Sequence, residues 1–196
     1  MITLTNTPVL TTKRLTLRVP EPQDAPAFIQ FYSTDRSQFT GGPMTARQAW
    51  NFFATELGHW VINGFGMFTV TRHDDDTALG IVGHWYPNTW PEKEIGWVLF
   101  DPAHEGQGIA FEAAQACITH AYETLNWDTI VSYIAPQNTA SIALATRLGA
   151  HLDTDATPVP GAKPCNVYRH AGPKTASLIE KNPPRRADQP HAGGLQ

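Results

Sequence analysis

The chain has 196 residues, of which 41% are hydrophobic and 16% are charged, and its formal net charge is −4. This length suits one domain with its own core, and the small acidic charge argues against a nucleic-acid partner, which would require a concentrated basic surface. The sequence has no run of about 18 apolar residues, no secretory signal pattern and too few cysteines for a disulfide framework, so we expect a cytoplasmic protein with no membrane partner and no metal.

The first third of the chain predicts one strand and two helices. Polar and apolar residues alternate over residues 14–19, which is typical of a strand. Asp24 suits the N-cap of a helix that carries Phe28 and Phe31 on one face, and Thr45 suits the N-cap of a second helix with apolar residues at helical spacing.

Three strands are predicted in the middle of the chain. Residues 65–71 and 78–85 flank a short polar run, so they predict an antiparallel hairpin with its turn over residues 73–76. The acidic turn is better explained by solvation than by metal binding, because no further ligand lies nearby in the sequence. A proline-bracketed loop over residues 86–93 precedes the third strand, over residues 94–100.

The last third predicts alternating helices and strands. The predicted elements are a helix, a strand, a short helix and a closing strand, over residues 109–125, 129–134, 141–148 and 167–170. Residues 172–196 show no periodic apolar pattern and predict a flexible tail, which leaves residues 1–171 as one domain. The order of elements predicts a mixed α/β fold.

A glycine-containing loop between the strand over 94–100 and the helix over 109–125 carries the strongest chemical signal. It consists of Glu105, Gly106, Gln107, Gly108, Ile109 and Ala110. Glycines let a ligand approach the backbone, and the free N–H groups and dipole of a helix start favour phosphate. A tight strand-to-helix turn explains these glycines equally well. The loop lacks the Gly-Lys-Ser/Thr of a P-loop and the third glycine of a dinucleotide fingerprint.

Residues 94–114 resemble the acetyl-CoA segment of the GNAT acetyltransferases, and are most similar to the branch of the ribosomal-protein N-terminal-alanine acetyltransferases. Two more segments match in the family's order: residues 10–18, and Asn138-Thr-Ala-Ser141 with the Ala145-Thr-Arg-Leu-Gly-Ala run that follows. The resemblance implies a GNAT fold, which is a mixed, mostly antiparallel sheet with a splayed central strand pair and flanking helices.

The resemblance also implies an acetyl-CoA site. In the family, the backbone of the strand equivalent to residues 94–100 binds the pantetheine arm, and the glycine loop binds the phosphates. The matching residues are Val98, Leu99 and Phe100, the loop residues 105–110, Asn138 and Ser141. Asn138 also suits the cap of the following helix. Glu105 departs from the family, which has Gln or Arg there, and its carboxylate would repel a pyrophosphate.

Acetyl transfer to an amine requires a proton acceptor and a proton donor. Glu94, at the start of the cofactor strand, is the first candidate for the acceptor, and His84 is the second because its ordinary pKa suits proton uptake. Each has a structural alternative, as a strand-end carboxylate or as a packed core residue. Ser141 resembles the serine proposed as the acid in the ribosomal-protein branch, and Ala145 stands where many family members have a tyrosine.

The predicted acceptor is a primary amine, either on a small molecule or at a protein N-terminus. Aromatic candidates for the acceptor pocket, for which core packing is the alternative, are Trp85, Tyr86 and Trp90, together with Trp50 and Trp60. The oligomeric state stays open and includes a homodimer. The rival function is a non-catalytic acyl-CoA-binding or regulatory module, which the missing tyrosine and Glu105 favour.

Overall fold

The computed structural model describes residues 4–161 and 163–172, which include eight strands and four α-helices. The strands are β1 (Leu10–Thr11), β2 (Leu15–Arg18), β3 (Met67–Arg72), β4 (Asp75–Trp85), β5 (Glu94–Leu99), β6 (Ile130–Ile134), β7 (His151–Leu152) and β8 (Asn166–His170). The helices are α1 (Ala25–Tyr32), α2 (Ala46–Asn63), α3 (Ile109–Glu123) and α4 (Thr139–Arg147). Apart from Gly172, the predicted tail lies outside the described residues.

One sheet contains all eight strands in the order β1-β2-β3-β4-β5-β6-β8-β7. Every neighbouring pair is antiparallel except β5 and β6, which are parallel. β5 and β6 share one pair of Cα partners, Glu94 and Val131, and then separate. At the point of separation Ser132 Oγ donates to the Ile95 carbonyl at 2.7 Å. These features confirm the predicted mixed, mostly antiparallel fold with a splayed central pair.

The two faces of the sheet are buried by different helices. α3 covers one face, in a core cluster that includes Phe68, Val82, Ile95 and Cys117. α1 and α2 cover the other face, where they pack against Met67, Ile81 and Val98 of the sheet. The buried helix residues in this cluster are Phe28, Phe31, Tyr32, Ala49 and Phe53. Because side chains alternate along a strand, neighbouring residues of β4 and β5 face different helices.

The helix boundaries follow from local capping. Thr45 accepts the Gln48 N–H at the start of α2, and the reciprocal Gln48 bond completes a capping box, as expected for this predicted N-cap. α3 begins at Ile109, where the sequence predicted it. α4 begins at Thr139, two residues earlier than predicted, because Asn138 is its N-cap and accepts the Ser141 N–H at 3.2 Å.

The β3–β4 hairpin corrects the predicted four-residue turn. Asp75 and Asp76 belong to β4, so the connection is shorter than residues 73–76. Asp76 is held on the strand because its carboxylate accepts from Arg18 Nε at 2.8 Å and also from Gln23. The end of the acidic run therefore lengthens β4, and the ion pair between Asp76 and Arg18 stabilises this end of the strand.

Asp24 precedes α1 as predicted, but its side chain makes no capping bond to that helix. Instead the buried carboxylate receives two bonds from Arg18, at 2.8 and 2.9 Å, and one from Thr69 Oγ1 at 2.8 Å. Asp24 thereby joins the start of α1 to β2 and β3.

We expect the substitution Asp24→Ala to lower the free energy of unfolding by about 3–5 kcal/mol, since it leaves the Arg18 guanidinium without its buried partner. Urea denaturation followed by circular dichroism would measure this loss. Asp74→Ala, at an exposed position of the hairpin, is the matched control and should change stability by less than about 0.5 kcal/mol. Equal stability of the two variants would contradict the role of the Asp24 network.

Candidate active site

The loop between β5 and α3 leaves its backbone open to a ligand. Gly106 and Gly108 have φ values of 72° and 76°, a region that favours glycine. A Cβ atom added to Gly106 would meet nothing within 4 Å, and one added to Gly108 would lie 3.5 Å from the guanidinium of Arg14. Side chains at these positions would occupy the space through which a ligand reaches the helix start.

The start of α3 adds electrostatic attraction for an anion. The first N–H groups of a helix lack intrahelical partners, so those of Ile109 and Ala110 point out of the helix end, where the dipole is positive. The backbone carbonyl of Gln107 accepts from Arg14 at 3.1 Å, and its side-chain oxygen accepts from Arg72 at 3.4 Å. The arrangement can bind a diphosphate.

Glu112, in the first turn of α3, is fixed by the segment that precedes β2. Its carboxylate accepts from Thr12 Oγ1 at 2.6 Å, from the Arg14 N–H at 2.8 Å and from Arg14 Nε at 2.6 Å. The N-terminal segment thus holds the end of α3 that carries the open N–H groups.

Glu105, the departure from the family pattern, is paired with a cation. Its Oε1 accepts from Arg36 Nη2 at 2.9 Å, and the same nitrogen donates to the Leu99 carbonyl at 3.0 Å. Arg36 therefore compensates the charge that would otherwise oppose a phosphate. The sequence did not single out Arg36, because this residue lies 69 positions from Glu105.

Only some residues of β5 turn their backbone N–H and C=O groups toward the gap beside β6. Of the three residues predicted to bind the pantetheine arm, Val98 and Phe100 do not. Phe100 donates its N–H to the Leu79 carbonyl at 2.9 Å. In an antiparallel pair such bonded residues alternate, so the backbone groups of Val98 and Phe100 face β4, whereas those of Trp97 and Leu99 face the gap beside β6. Among the three predicted residues, Leu99 therefore has backbone groups on the side of the gap, whereas Val98 and Phe100 have theirs on the side of β4.

Ser141 reaches the β5 side of the gap. Its hydroxyl oxygen accepts from the indole N–H of Trp97 at 3.2 Å, and Asn138 caps the helix that carries it. Ala145 on the same helix is fully buried against Ile134 and Tyr168. Asn138 and Ser141 are thus brought together, and Trp97 links Ser141 to β5.

Glu94 lies where β5 and β6 begin to separate, and its partner on β4 is Trp85. Its carboxylate accepts from the indole N–H of Trp90 at 2.6 Å. Burial raises the pKa of Glu94 to about 7, and the bond from Trp90 opposes that rise. Near neutral pH this carboxyl can therefore either accept or release a proton.

His84 lies on the opposite face of the sheet from Glu94. It is fully buried under α3, its Nε2 is 3.0 Å from the Cys117 carbonyl, and burial lowers its pKa to about 4. The structure does not bring His84 to the Glu94 side, so its position corresponds to the core alternative. Cys117 is also fully buried, and burial raises the pKa of its thiol.

Aromatic side chains surround Glu94. The rings of Trp85 and Trp90 are 6.4 Å apart, and those of Trp90 and Tyr133 are 6.5 Å apart. Tyr86 follows Trp85 and donates its backbone N–H to His59 Nε2 at 2.9 Å. Trp85, Tyr86 and Trp90 are all partly buried, so these three of the five predicted pocket residues lie at the margin of the site.

Trp50 and Trp60 do not lie with the other predicted pocket tryptophans. Trp60 is 4% exposed in the α3-side core and donates its indole N–H to the Met67 carbonyl at 2.9 Å. Trp50 is 58% exposed on α2.

Glu56 of α2 is a buried carboxyl group close to Glu94, and the sequence did not single it out. The side chain is 2% exposed, and its Oε2 has no hydrogen-bond partner within residues 4–161 and 163–172. Burial raises the pKa of Glu56 to about 8, and the charge of Glu94 adds to the rise. Its spacing from Phe53 and Trp60 places Glu56 on the buried side of α2, where a charged residue is unusual, and this pattern could have identified it from the sequence.

No helix in the described part of the chain is long and apolar enough to cross a membrane. Residues 4–161 and 163–172 contain no group of three or more His, Cys, Asp or Glu side chains that could hold a metal ion.

Comparisons with known proteins agree with this geometry. The family model described as "Acetyltransferase (GNAT) domain" matches residues 14–151. An uncharacterized N-acetyltransferase, YnaD of Bacillus subtilis, is 28% identical over 142 residues, which are 71% of this chain and 81% of that protein. The crystal structure of an acetyltransferase from Agrobacterium tumefaciens has a TM-score of 0.79 and 37% identity, covering 87% of this chain and 98% of that one.

A more distant structure was solved with a ligand. RimL, a ribosomal L7/L12 α-N-protein acetyltransferase in complex with coenzyme A, has a TM-score of 0.67 and 19% identity, covering 84% of this chain and 98% of that one. At this identity the likeness extends to the fold alone.

Proposed function

Because the chain belongs to the GNAT acetyltransferase family, we propose that it transfers the acetyl group of acetyl-CoA to a primary amine by direct attack in a ternary complex. The observation that carries the proposal is the separation of β5 from β6, with Glu94 at the fork and the exposed backbone of Trp97 and Leu99 beyond it. This gap admits an extended ligand arm next to a carboxyl group that titrates near neutral pH.

The residues present fit acetyl-CoA. The backbone of Gly106, Gly108 and the first turn of α3 would hold its diphosphate. The N–H and C=O groups of Trp97 and the N–H of Leu99 would bind the pantetheine arm as an added strand binds an edge, while the Leu99 carbonyl already accepts from Arg36. Acetyl-CoA would supply the thioester carbonyl that the amine attacks. Asn138 stands across the gap from this strand, at the start of α4.

Glu94 serves as the proton acceptor in the proposed mechanism. In its carboxylate form it removes a proton from the acceptor ammonium, directly or through a water, and the Trp90 indole N–H fixes its orientation. Ser141 is the proposed proton donor for the departing thiolate, because Trp97 donates to its oxygen and leaves the Ser141 O–H free to donate. Buried Cys117 and His84 are not used.

The acceptor is a small-molecule amine or a protein N-terminus. RimL is named for a protein N-terminus, which supports the second class by analogy of fold. The aromatic margin formed by Trp85, Tyr86 and Trp90 supports an amine with an apolar neighbour.

A turnover assay tests the proposed function. Purified protein is mixed with acetyl-CoA and a panel of primary amines and N-terminal peptides, and free thiol is measured above the rate of spontaneous hydrolysis. Acetylation of any panel member with intersecting initial-rate lines would support a ternary complex. Tight binding of acetyl-CoA with no turnover of any member would favour the non-catalytic binding module.

A double-mutant cycle tests the compensation of Glu105. We expect Arg36→Ala to weaken coenzyme A binding by about fivefold, because it leaves the Glu105 carboxylate unpaired beside the phosphate site. Adding Glu105→Gln should restore most of the affinity. Isothermal titration calorimetry gives both values, and an equal loss in the single and double variants would contradict the pairing argument.

A further inference from the structure

Glu56 is a buried carboxyl group without a cationic partner. Its side chain is 2% exposed, and Oε2 finds no hydrogen-bond donor in the described part of the chain. Such a group is costly to bury unless a cation or several donors accompany it. Packing alone does not explain a carboxyl group at this position, so we infer a role in binding.

The neighbouring side chains cannot supply the cation. His59, one turn further along α2, accepts the Tyr86 N–H at Nε2, so its Nδ1 carries the proton that is donated to the Phe65 carbonyl at 2.8 Å. That pattern fixes a neutral imidazole, and burial lowers the pKa of His59 as well. The titratable groups that face Glu56 from other elements are Tyr32 of α1 and Glu94 of β5, and neither is a cation.

Glu56 lies on the side of α2 that covers the aromatic margin. Phe52 and His59 are four residues before and three residues after it, and both rings contact Trp85, at 6.0 and 4.8 Å between centroids. Trp85 is the partner of Glu94 on the neighbouring strand. The two carboxyl groups thus approach one place from α2 and from β5.

A second polar group near this place also lacks a partner. The Tyr133 hydroxyl is buried and makes no hydrogen bond within residues 4–161 and 163–172. The Tyr133 ring contacts Trp90, whose indole N–H donates to Glu94. The Tyr133 hydroxyl on the Trp90 side of Glu94 and the Glu56 carboxyl on α2 are thus two buried groups that a ligand could satisfy by donating or accepting hydrogen bonds.

We propose that Glu56 binds the acceptor amine in its ammonium form, and that the acceptor is a monocationic primary amine attached to a compact apolar group. The inference rests on the proposed function, because the same site would present the amine for acetylation. Burial raises the pKa of Glu56 to about 8, so the unliganded group is mostly the neutral acid at pH 7, and a bound ammonium favours its carboxylate form. That carboxylate supplies the negative charge, and the rings of Trp85 and Trp90 contact the apolar group and the cation.

The two carboxyl groups divide the work of binding and proton removal. Glu56 holds the ammonium while Glu94 takes one proton from it: an N–H bond breaks, an O–H bond forms on Glu94, and the nitrogen keeps the electron pair with which it attacks. A substrate that carries its own carboxylate next to the amine would be repelled by Glu56. Free amino acids should therefore bind poorly.

The experiment uses 2-phenylethylammonium chloride as the probe and coenzyme A-saturated protein, with tryptophan fluorescence as the readout of binding. We expect Glu56→Gln to raise the Kd of the probe at least tenfold while leaving the Kd of coenzyme A unchanged. The exposed Glu123→Gln is the matched control and should behave as wild type. For the wild-type protein, 2-phenylethanol and zwitterionic phenylalanine should each bind at least tenfold more weakly than the probe.

An unchanged Kd for the probe in Glu56→Gln would overturn the proposal, and so would equal binding of 2-phenylethanol by the wild-type protein. If Glu56→Gln fails to fold, the wild-type comparison of the three compounds, read as shifts in thermal midpoint, still decides the question. Failure of the proposed function is separable: a wild-type protein that binds the ammonium probe but acetylates no amine would refute the transfer reaction and leave the Glu56 site intact.

Discussion

The substitution Gly108→Glu is expected to abolish coenzyme A binding, with a Kd at least about 100-fold higher than that of the wild-type protein. Gly108 has a φ of 76° and precedes the first turn of α3. A glutamate there would place a negative charge at the proposed diphosphate site and would fill the space in front of the free N–H groups. Isothermal titration calorimetry with coenzyme A measures the loss directly.

Two further variants separate charge from backbone strain. Gly108→Ala adds the strain of a positive φ without a charge, so we expect a loss of no more than about tenfold, in keeping with about 1–2 kcal/mol for such a residue. Gly64→Glu places the same side chain at a φ of 75° after α2, with no atom within 4 Å of its Cβ, and should leave binding unchanged. Wild-type affinity in Gly108→Glu would remove the phosphate site from this loop.

The substitution Glu94→Gln is expected to lower kcat by about 100-fold or more, because an amide cannot accept the proton of the attacking amine. The KM for acetyl-CoA should stay within about threefold of the wild-type value, since the proposed cofactor contacts are made by the backbone and not by Glu94. The assay is thiol release with the best amine of the acceptor panel. Glu123→Gln, an exposed change of the same kind, should retain full activity.

The pH dependence supplies a second test of Glu94. Burial raises its pKa to about 7, so below that pH the group is protonated and cannot serve as a base, and above it the carboxylate is available. The wild-type kcat should therefore rise with pH through about 7 and then level off. In Glu94→Gln this limb should be absent. A variant that keeps both the rate and the limb would assign proton removal to another group.

Much of the fold is visible in the sequence because its elements are defined locally. The start of α3 at Ile109 follows from the glycine that precedes it, and α2 follows from the Thr45 capping box. The turn over residues 73–76 was wrong because a distant residue, Arg18, holds Asp76 on β4. α4 begins two residues earlier than predicted because Asn138 is its N-cap, so the helix includes Thr139 and Ala140.

The candidate site was predictable where it lies on one continuous segment. The glycine loop and Glu94 were found in this way, and they remain in the proposed mechanism. The orientation of β5 depends on its register with β4, which no local pattern reveals, so Trp97 was not singled out. Glu56 lies 38 positions before Glu94, and only the packing of α2 against the sheet brings the two together.

The three bonds that Glu112 receives from Thr12 and Arg14 have a thermodynamic consequence. They immobilise the first turn of α3 before any ligand arrives, so the amide groups there are preorganised and little conformational entropy is lost on binding. In the proposed function, affinity for acetyl-CoA then depends on whether Thr12 and Arg14, which follow β1, remain bound to Glu112. Whenever that edge frays, the fraction of binding-competent molecules falls, and the apparent dissociation constant rises in proportion.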